Sequence, residues 1–297
     1  MNDKSAKTGV LLAIAAYSMW GVAPLYFKLL LSMPAIEILM HRIIWSMAVL
    51  ILLVLLTRQM PKVRAALQTP KVMLILLVSG VLLAGNWLLF IWSVNNDHLL
   101  DASLGYYINP LLNVFLGRIF LAEKLRPLQQ VAVVLAIVGV MILIVSFGQI
   151  PWIALGLACS FGVYGLLRKQ VAVDSLPGLL VETGMMLPFA VGYWLWFASG
   201  ASNLLNNTLE INLILFFAGV VTTAPLLCFT GAARRIKYST LGFFQYIGPS
   251  MMFVLAVYLY GEVLSEARLV TFAFVWLALG VFSFDSFRQY RRMRRLA

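Results

Sequence analysis

Two phrases in this chain nearly repeat each other: LGYYINP at residues 104–110 and LGFFQYIGP at residues 241–249. Each begins with Leu-Gly, continues with aromatic residues and ends in proline, and the two prolines are 139 residues apart. Past each proline the match continues without a gap, so Glu123 corresponds to Glu262 at the same offset. Self-similarity over half the length of a chain predicts two copies of one structural unit.

The composition predicts an all-α integral membrane protein. Hydrophobic residues make up 62% of the chain and charged residues 11%, whereas a soluble domain carries about 25% charged residues. Uninterrupted apolar stretches, such as 10–31 and 72–94, are long enough to span the hydrocarbon core as helices. The short alternating segments of a membrane barrel are not found. Both cysteines, Cys159 and Cys228, lie inside apolar stretches and indicate no disulfide.

Apolar runs separated by proline, glycine, asparagine or charged residues predict ten transmembrane helices. Their expected spans are 9–31, 34–57, 72–94, 99–120, 127–147, 151–168, 177–198, 212–233, 238–260 and 267–287. The ten helices divide into a first repeat, 1–148, and a second repeat, 149–297, which ends in a basic cytoplasmic tail. Because five is odd, the second repeat is expected to enter the membrane from the opposite side, which makes the two repeats inverted.

The basic residues predict the orientation. With the N-terminus in the cytoplasm, 19 of the 22 lysines and arginines fall in or beside cytoplasmic segments, including Arg168 and Lys169 in the sixth connection. This asymmetry follows the positive-inside rule, so both termini are expected to be cytoplasmic. It also explains the net charge of +11 without a nucleic-acid partner.

Inverted repeats favour transport over a duplication that only builds a stable bundle. Two copies in opposite orientation can produce an inward-open and an outward-open packing of similar energy, which is the basis of alternating access. In each repeated phrase the glycine permits close helix approach, and the proline removes a backbone donor. We expect Pro110 and Pro249 to be flexure points that gate the movement, with a purely structural kink as the alternative.

The second helix carries Glu37, His41 and Arg42 in the outer half of the membrane, where a charge costs about 2.5–3.5 kcal/mol. The guanidinium of Arg42 could anchor a substrate carboxylate or nitro group, and His41 titrates near neutral pH, so it could bind substrate or carry a proton. Glu37 and its rough counterpart Glu182, in the seventh helix, are candidates for coupling or gating. A structural pair of Arg42 with Glu37 or with a backbone carbonyl is the alternative.

The other candidate substrate-binding residues are polar or aromatic and fall in apolar helices: Tyr106, Asn109, Asn113, Gln245, Tyr246 and Trp20. The first three follow one another at spacings of three and four, which places them on one face of the fourth helix. That face is expected to line a cavity or to meet another helix. Trp20 would form an aromatic wall with Tyr17 and Tyr164, and core packing is the alternative.

No enzyme is predicted, because the sequence contains no glycine-rich phosphate loop and no convincing nucleophile–base pair. His41 and His98 are too few for an ordinary metal site, so neither metal nor cofactor is expected. An ATP-binding domain is also missing from the sequence, so transport would draw on a gradient or on the substrate itself.

Longer motifs carry a family resemblance: GNWLLFIWSVNN (85–96), ASLGYYINP (102–110), STLGFFQYIGP (239–249), MWGVAPLYFK (19–28) and HRIIWS (41–46). With them the whole chain resembles the RarD branch of the EamA, or drug/metabolite, transporter superfamily. The resemblance implies a ten-helix bundle of two inverted repeats in the bacterial inner membrane. It also implies movement of small metabolites or drugs, often outward, and links the branch by name to chloramphenicol sensitivity.

The sequence therefore predicts a secondary-type exporter of a small amphipathic metabolite or drug, such as an amino acid or chloramphenicol. The expected partners are this substrate and the lipid bilayer, with proton coupling left open and a monomer sufficient. An uncoupled facilitator and a non-transporting accessory or sensor protein are the alternatives, and an intramembrane enzyme is a distant third.

Overall fold

The structure is a computed structural model that describes residues 3–30, 33–95, 99–148, 150–258 and 266–296. These residues form helices and loops, with no strand among them. The first half contains α1 (Asp3–Lys28), α2 (Ala35–Leu56), α3 (Met60–Leu67), α4 (Pro70–Asn95), α5 (Leu99–Phe120) and α6 (Pro127–Phe147). The second half contains α7 (Trp152–Gln170), α8 (Ser175–Phe197), a short 3-10 turn (Gly200–Ser202), α9 (Leu209–Ala233), α10 (Tyr238–Gln245), α11 (Ile247–Tyr258) and α12 (Glu266–Leu296).

Each predicted span overlaps a helix of the structure, but the connection between the second and third spans holds the additional helix α3. Proline stands in the first turn of α3, where its missing N–H costs no helical hydrogen bond. Val63 and Ala66 are buried, while Lys62 and Arg64 are exposed. The segment is therefore a short amphipathic helix on the bundle surface, which a search for long apolar runs does not detect.

The predicted single helix over 238–260 is wrong, because the structure divides it between α10 and α11 at Tyr246. Pro249 lies four residues after Gln245, the last residue of α10. A proline has no N–H to donate, and its ring collides with the carbonyl group four residues earlier, which accounts for the break. By contrast, α5 runs through Pro110 without interruption, so the two repeated prolines act differently on their helices.

The outer surface of the bundle is suited to lipid. Within the described ranges, α1, α2, α4, α6, α8, α9 and α12 are long and apolar enough to cross a membrane. Large apolar side chains such as Leu11, Val145 and Phe189 are exposed on them. An exposed apolar surface of this extent is characteristic of contact with a membrane.

The contacts between helices keep their pattern when the two halves of the chain are exchanged. With α1, α2, α4, α5 and α6 matched to α7, α8, α9, α10–α11 and α12, the contact of α5 with α7 corresponds to that of α1 with α11. Likewise α1–α9 corresponds to α4–α7, and α2–α9 corresponds to α4–α8. The contacts α2–α8, α5–α10 and α6–α12 map onto themselves. Two copies of one unit about a two-fold axis would produce this pattern, although the division at 148 and 149 stays a prediction.

The predicted role of the two repeated glycines is confirmed. A Cβ atom on Gly105 would lie 3.1 Å from the carbonyl oxygen of Ala154 in α7. A Cβ atom on Gly242 would lie 2.7 Å from the carbonyl oxygen of Pro110 in α5. Both distances leave too little room for a side chain, so the glycines allow α5 to approach α7 and α10 to approach α5.

One end of the bundle, here called the basic end, is held by charged contacts between helix termini. Lys62 Nζ lies 2.6 Å from one carboxylate oxygen of Asp174, and Arg234 Nη1 lies 3.0 Å from the other. The Lys62 hydrogen bond, together with the charge of Arg234, holds the pKa of Asp174 below its usual range. These contacts bring together segments that were predicted to be cytoplasmic.

Glu123 makes a further contact at the basic end. Its carboxylate accepts hydrogen bonds from the backbone N–H groups of Tyr238 at 2.6 Å and Ser239 at 2.9 Å. A residue of the first half therefore stabilises the N-terminus of α10 in the second half. Its repeat counterpart, Glu262, lies outside the described residues.

Candidate functional site

A narrow cavity lies at the centre of the bundle, where α2, α4, α8 and α9 meet. Its volume of about 10 Å³ holds about one water molecule. Most of the lining is apolar, from residues such as Ile43, Leu83 and Met186. The polar lining residues are Ser46, Glu182, Thr183, Thr222 and Thr223. In this conformation the cavity excludes a molecule the size of an amino acid.

Arg42 lies at the edge of this cavity and contacts two of its lining residues. Its Nε donates to the Thr222 hydroxyl at 2.9 Å, and its Cζ lies 4.5 Å from the centroid of the Trp87 ring. Tyr26 and Tyr106 are close enough to interact electrostatically with the guanidinium. The side chain is half-buried. A cation beside a flat aromatic ring and hydroxyl groups can bind a carboxylate that is attached to an apolar body.

The side chain of His41 packs against a different helix from that of Arg42. It is buried, and its ring centroid lies 6.1 Å from that of Trp194 in α8. Its Nε2 has no hydrogen-bond partner among the described residues. The structure therefore separates His41 from the cavity edge, and its role in binding or proton transfer stays a prediction.

Glu37 connects the start of α2 to the turn after α8. Its carboxylate accepts hydrogen bonds from the Ser199 backbone at 2.7 Å, from the Ser199 hydroxyl at 2.9 Å and from the Ser202 hydroxyl. Three donors stabilise an ionised carboxylate at this position. In this conformation Glu37 fixes a loop, and its coupling role stays a prediction.

Glu182 is completely buried and forms an ion pair with Arg168, which is also completely buried. Arg168 Nη1 lies 3.6 Å from Glu182 Oε1, which also accepts a hydrogen bond from the Ser79 hydroxyl. Arg168 Nη2 donates to the carbonyl oxygen of Ser175 at 3.2 Å. The prediction that Arg168 lies in a cytoplasmic connection is therefore wrong, because it belongs to the last turn of α7 and turns inward. Gly178 makes this possible, since any Cβ there would collide with the guanidinium.

The polar stripe of α5 meets other helices rather than the cavity. Asn109 donates to the carbonyl oxygen of Ala158 in α7 at 3.2 Å, and Asn113 donates to Gln245 Oε1 in α10 at 3.1 Å. The Tyr246 hydroxyl donates to the carbonyl oxygen of Tyr107 at 3.2 Å. In this conformation Asn109, Asn113, Gln245 and Tyr246 meet other helices, which is one of the two expected alternatives, and their role in substrate binding stays a prediction. These hydrogen bonds satisfy polar groups at tightly packed helix crossings.

Tyr106 is the stripe residue that adjoins Arg42, and its ring packs at 6.0 Å from that of Phe90. Trp20 belongs to an aromatic cluster with Tyr17 at 5.7 Å, Phe161 at 5.6 Å and Phe229 at 5.8 Å. Tyr164 joins the same cluster through Phe229. In this conformation the cluster packs α1, α7 and α9 together apart from the cavity lining, which is the core-packing alternative, and the role of Trp20 in binding stays a prediction.

Sequence reasoning did not include Thr222, Thr223, Arg168 or Trp87 among the candidate site residues. A signal existed for the threonines, because the run VTTAP at 221–225 places two hydroxyl groups beside a proline inside an apolar helix. Across the ranges that the structure describes, no group of three His, Cys, Asp or Glu residues could hold a metal ion.

Comparisons with known proteins match the chain along its length. The EamA-like transporter family matches residues 7–145. An uncharacterized transporter of Vibrio cholerae is 55% identical over 295 residues, which cover 99% of this chain and 98% of the relative. Protein RarD of Escherichia coli K12 is 53% identical over 293 residues, which cover 98% of this chain and 99% of the relative.

Two more distant matches extend the comparison. A protein of Pseudomonas aeruginosa named chloramphenicol-sensitive protein RarD is 31% identical, with 97% of each chain covered. A crystal structure of a protein with 18% identity superposes with a TM-score of 0.72 and covers 95% of this chain and 99% of that chain. At that identity the superposition indicates a shared fold only.

Proposed function

The chain belongs to the EamA-like transporter family, in its RarD branch, and on that basis we propose that it moves a small amphipathic metabolite or drug by alternating access. As a member of this family it is a bacterial multi-pass membrane transporter. An amino acid, or a drug of similar shape such as chloramphenicol, fits the expected substrate class. We propose no catalytic role, since the family is one of transporters.

The position of Arg42 carries this proposal. A guanidinium at membrane depth is costly unless it has partners, and here it lies between Thr222 and Trp87 at the edge of the central cavity. Arg42 would bind the carboxylate or nitro group of the substrate, while Trp87 and apolar residues such as Ile43 and Met186 would contact its body. Tyr106 and Tyr26 would lie close to the bound group, since both adjoin the Arg42 guanidinium.

The packing of the helices supports alternating access around this site. The cavity holds about one water molecule, so a substrate requires α2 and α4 to move relative to α8 and α9. The exchange symmetry of the helix contacts supports a ten-span bundle of two inverted repeats, 1–148 and 149–297. Inverted repeats allow the two halves to rock against each other and open each side in turn.

The remaining features of the proposal concern location. We place the protein in the inner membrane with both termini in the cytoplasm, so the basic end faces inward. The grouping of Lys62, Arg234 and Lys169 at this end supports the orientation. We also propose outward transport by a monomer, which the family resemblance and the presence of both halves in one chain support.

Reconstitution of the purified protein into liposomes tests the proposal. Uptake of labelled amino acids and of chloramphenicol is measured with and without an imposed pH gradient, against protein-free vesicles. We expect saturable flux of at least one compound. If no compound shows flux above the protein-free control, the result would contradict transport and favour the accessory or sensor function.

An uncoupled facilitator is the second candidate function. It is supported by the contacts of Glu37, which hold its carboxylate with three hydrogen bonds and leave it few ways to exchange a proton. Flux that does not change with the pH gradient would select the facilitator, and flux that grows with the gradient would select a proton-coupled transporter.

A further inference from the structure

We propose that Arg168 and Glu182 form a second polar site, on the basic-end side of the central cavity, which binds a carboxylate together with a proton. The inference rests on the proposed transport function and deepens it. It assigns the substrate class as monocarboxylates with an apolar body, and it gives Arg168 a role in binding.

The first observation is that this ion pair is incompletely satisfied although both side chains have no exposed surface. Glu182 Oε2 and Arg168 Nε and Nη1 have no hydrogen-bond partner within the described part of the chain. Buried charged groups in proteins are normally paired and hydrogen-bonded, and a poorly satisfied buried pair is weak as a stabilising contact. Free hydrogen-bonding capacity of both signs therefore points to a ligand.

The second observation is that the pair adjoins the cavity and connects both halves of the chain. Glu182 lines the cavity directly, and its partners Ser79 and Arg168 come from α4 and α7. Thr223 lines the same cavity with a buried hydroxyl that makes no hydrogen bond within the described residues, and its neighbour Thr222 accepts from Arg42. A carboxylate could therefore pass between Arg42 and Arg168 along one short polar path.

Few other groups around the pair can titrate. Tyr164 from α7 is close enough to interact with both charges, and it in turn interacts with Tyr238 from α10. The elements α2, α4 and α9 present the hydroxyl groups of Ser46, Ser79 and Thr223. Among the described residues, Glu182 is consequently the group on which a proton can be gained while Arg168 stays charged.

Charge balance links the two ligands. In the empty site the guanidinium and the carboxylate of Glu182 neutralise each other. A substrate carboxylate can take the place of Glu182 beside Arg168 Nη1. The substrate carboxylate and the Glu182 carboxylate would then share one cation. Transfer of a proton from the solvent to Glu182 Oε2, which forms an O–H bond there, removes the second negative charge. The loaded site then holds one cation, one anion and a neutral acid. The site is electrically neutral in both states, as a buried site requires.

Benzoate binding to the purified full-length protein tests this linkage. The quenching of tryptophan fluorescence gives the affinity between pH 5.5 and 8.5, and benzamide, which has the same ring without the charge, is the control ligand. In weakly buffered solution at pH 7 we expect wild-type protein to take up about one proton per benzoate bound, and the affinity to rise about tenfold for each unit that the pH falls. Benzamide should cause no proton uptake.

Three variants make the test specific. E182Q imitates the protonated acid, so it should bind benzoate without proton uptake and with an affinity that no longer depends on pH. R168Q, in which Arg42 is intact, should lose the proton-linked benzoate binding, and the double variant R168Q/E182Q, which buries no unpaired charge, keeps this result interpretable if the single variant does not fold. The exposed residues Glu210 and Arg64 supply matched controls, E210Q and R64Q, which should behave as wild type.

The proposal is overturned if wild-type protein binds no benzoate, if it binds benzoate without proton uptake, or if E182Q retains the pH dependence. Benzoate binding that survives unchanged in folded R168Q/E182Q would also overturn it. Because binding is measured without flux, its failure is distinct from a failure of the transport proposal. If vesicles transport a substrate but benzoate binding causes no proton uptake by the protein, the proposed function stays intact and only this inference fails.

Discussion

Arg42 is the residue on which the binding proposal depends. Its charge is placed at membrane depth, where the guanidinium donates a hydrogen bond to the Thr222 hydroxyl and lies against the Trp87 ring. The indole contact contributes about 0.5–2 kcal/mol. A substrate carboxylate would add a charge-assisted hydrogen bond at this position.

Replacement of Arg42 by alanine should strongly reduce transport while the protein still folds and inserts. Loss of a charge-assisted hydrogen bond to a substrate costs about 1.5–3 kcal/mol, which corresponds to a loss of about 10- to 150-fold in kcat/KM. Flux into proteoliposomes measures the effect, and R64A on the exposed face of α3 is the matched control. Normal flux through R42A would remove Arg42 from the binding site.

Sequence alone identified Arg42 and Glu182 as unusual, because ionisable residues inside apolar helices are rare. It could not identify Arg168, because an arginine followed by lysine at a helix end has the same local appearance as a cytoplasmic connection. The inward direction of Arg168 depends on space left by Gly178 in the next helix. Likewise, the hydrogen bond between Asn113 and Gln245 depends on how two distant helices cross, which no local spacing specifies.

At the scale of single elements, the two proline-containing helices differ in a way that predicts different mobility. The break between α10 and α11 lies one turn before Pro249, whereas α5 is continuous through Pro110. A broken helix can absorb backbone rotation at its joint, and a continuous one resists it.

P249A should therefore slow transport more than P110A does. Alanine restores a backbone donor at the joint and favours a continuous helix, so kcat should fall severalfold while KM changes less than twofold. Initial rates over a range of substrate concentrations separate the two parameters. Equal rates for P249A and wild type would show that the joint between α10 and α11 does not limit the transport cycle.

Replacement of Gly242 by alanine should destabilise the crossing of α10 with α5. The added Cβ would lie 2.7 Å from the carbonyl oxygen of Pro110 and 3.0 Å from Asn113 Cβ, and overpacking of this kind costs about 1–3 kcal/mol. Thermal unfolding in detergent measures the change. Gly280 in α12 has open space around it, so G280A is the matched control and should not lower Tm. A Tm for G242A equal to that of wild type would contradict the close contact.

The contact of α3, α8 and α9 at the basic end should contribute a pH-dependent stability. Asp174 is stabilised as a carboxylate by Lys62 and Arg234, so its contribution is present above its unfolded pKa and is lost as the pH falls through its lowered folded pKa. The side chains are about half exposed, which limits the effect to roughly 1 kcal/mol or less.

D174N should therefore lower Tm by about 1–3 °C at pH 7, and this difference should shrink as the pH falls below about 4. Thermal unfolding over a series of pH values measures the difference, with E210Q as the control at an exposed carboxylate. A difference between D174N and wild type that stays constant as the pH falls would assign the effect to something other than the charge of Asp174.

At the scale of the whole molecule, sequence predicted the membrane class and a helix for each expected span. The long apolar runs determine these features, because a helix that crosses lipid must satisfy its backbone hydrogen bonds internally. The internal repeat also anticipated which helices would be equivalent in the contact pattern. The repeat did not indicate the helices that surround the cavity, since α2, α4, α8 and α9 lack the repeated phrase and meet only through tertiary packing.

The measurement that tests alternating access most directly is transport by a protein whose basic end is locked. Cys159 and Cys228 are replaced by serine, Lys62 and Asp174 are replaced by cysteine, and a reducible bifunctional thiol reagent joins the two halves. We expect flux into proteoliposomes to fall to the protein-free level and to return after reduction, while either single-cysteine protein keeps its flux after the same treatment. Cross-linked protein that transports at the rate of the reduced protein would contradict the rocking of one half against the other.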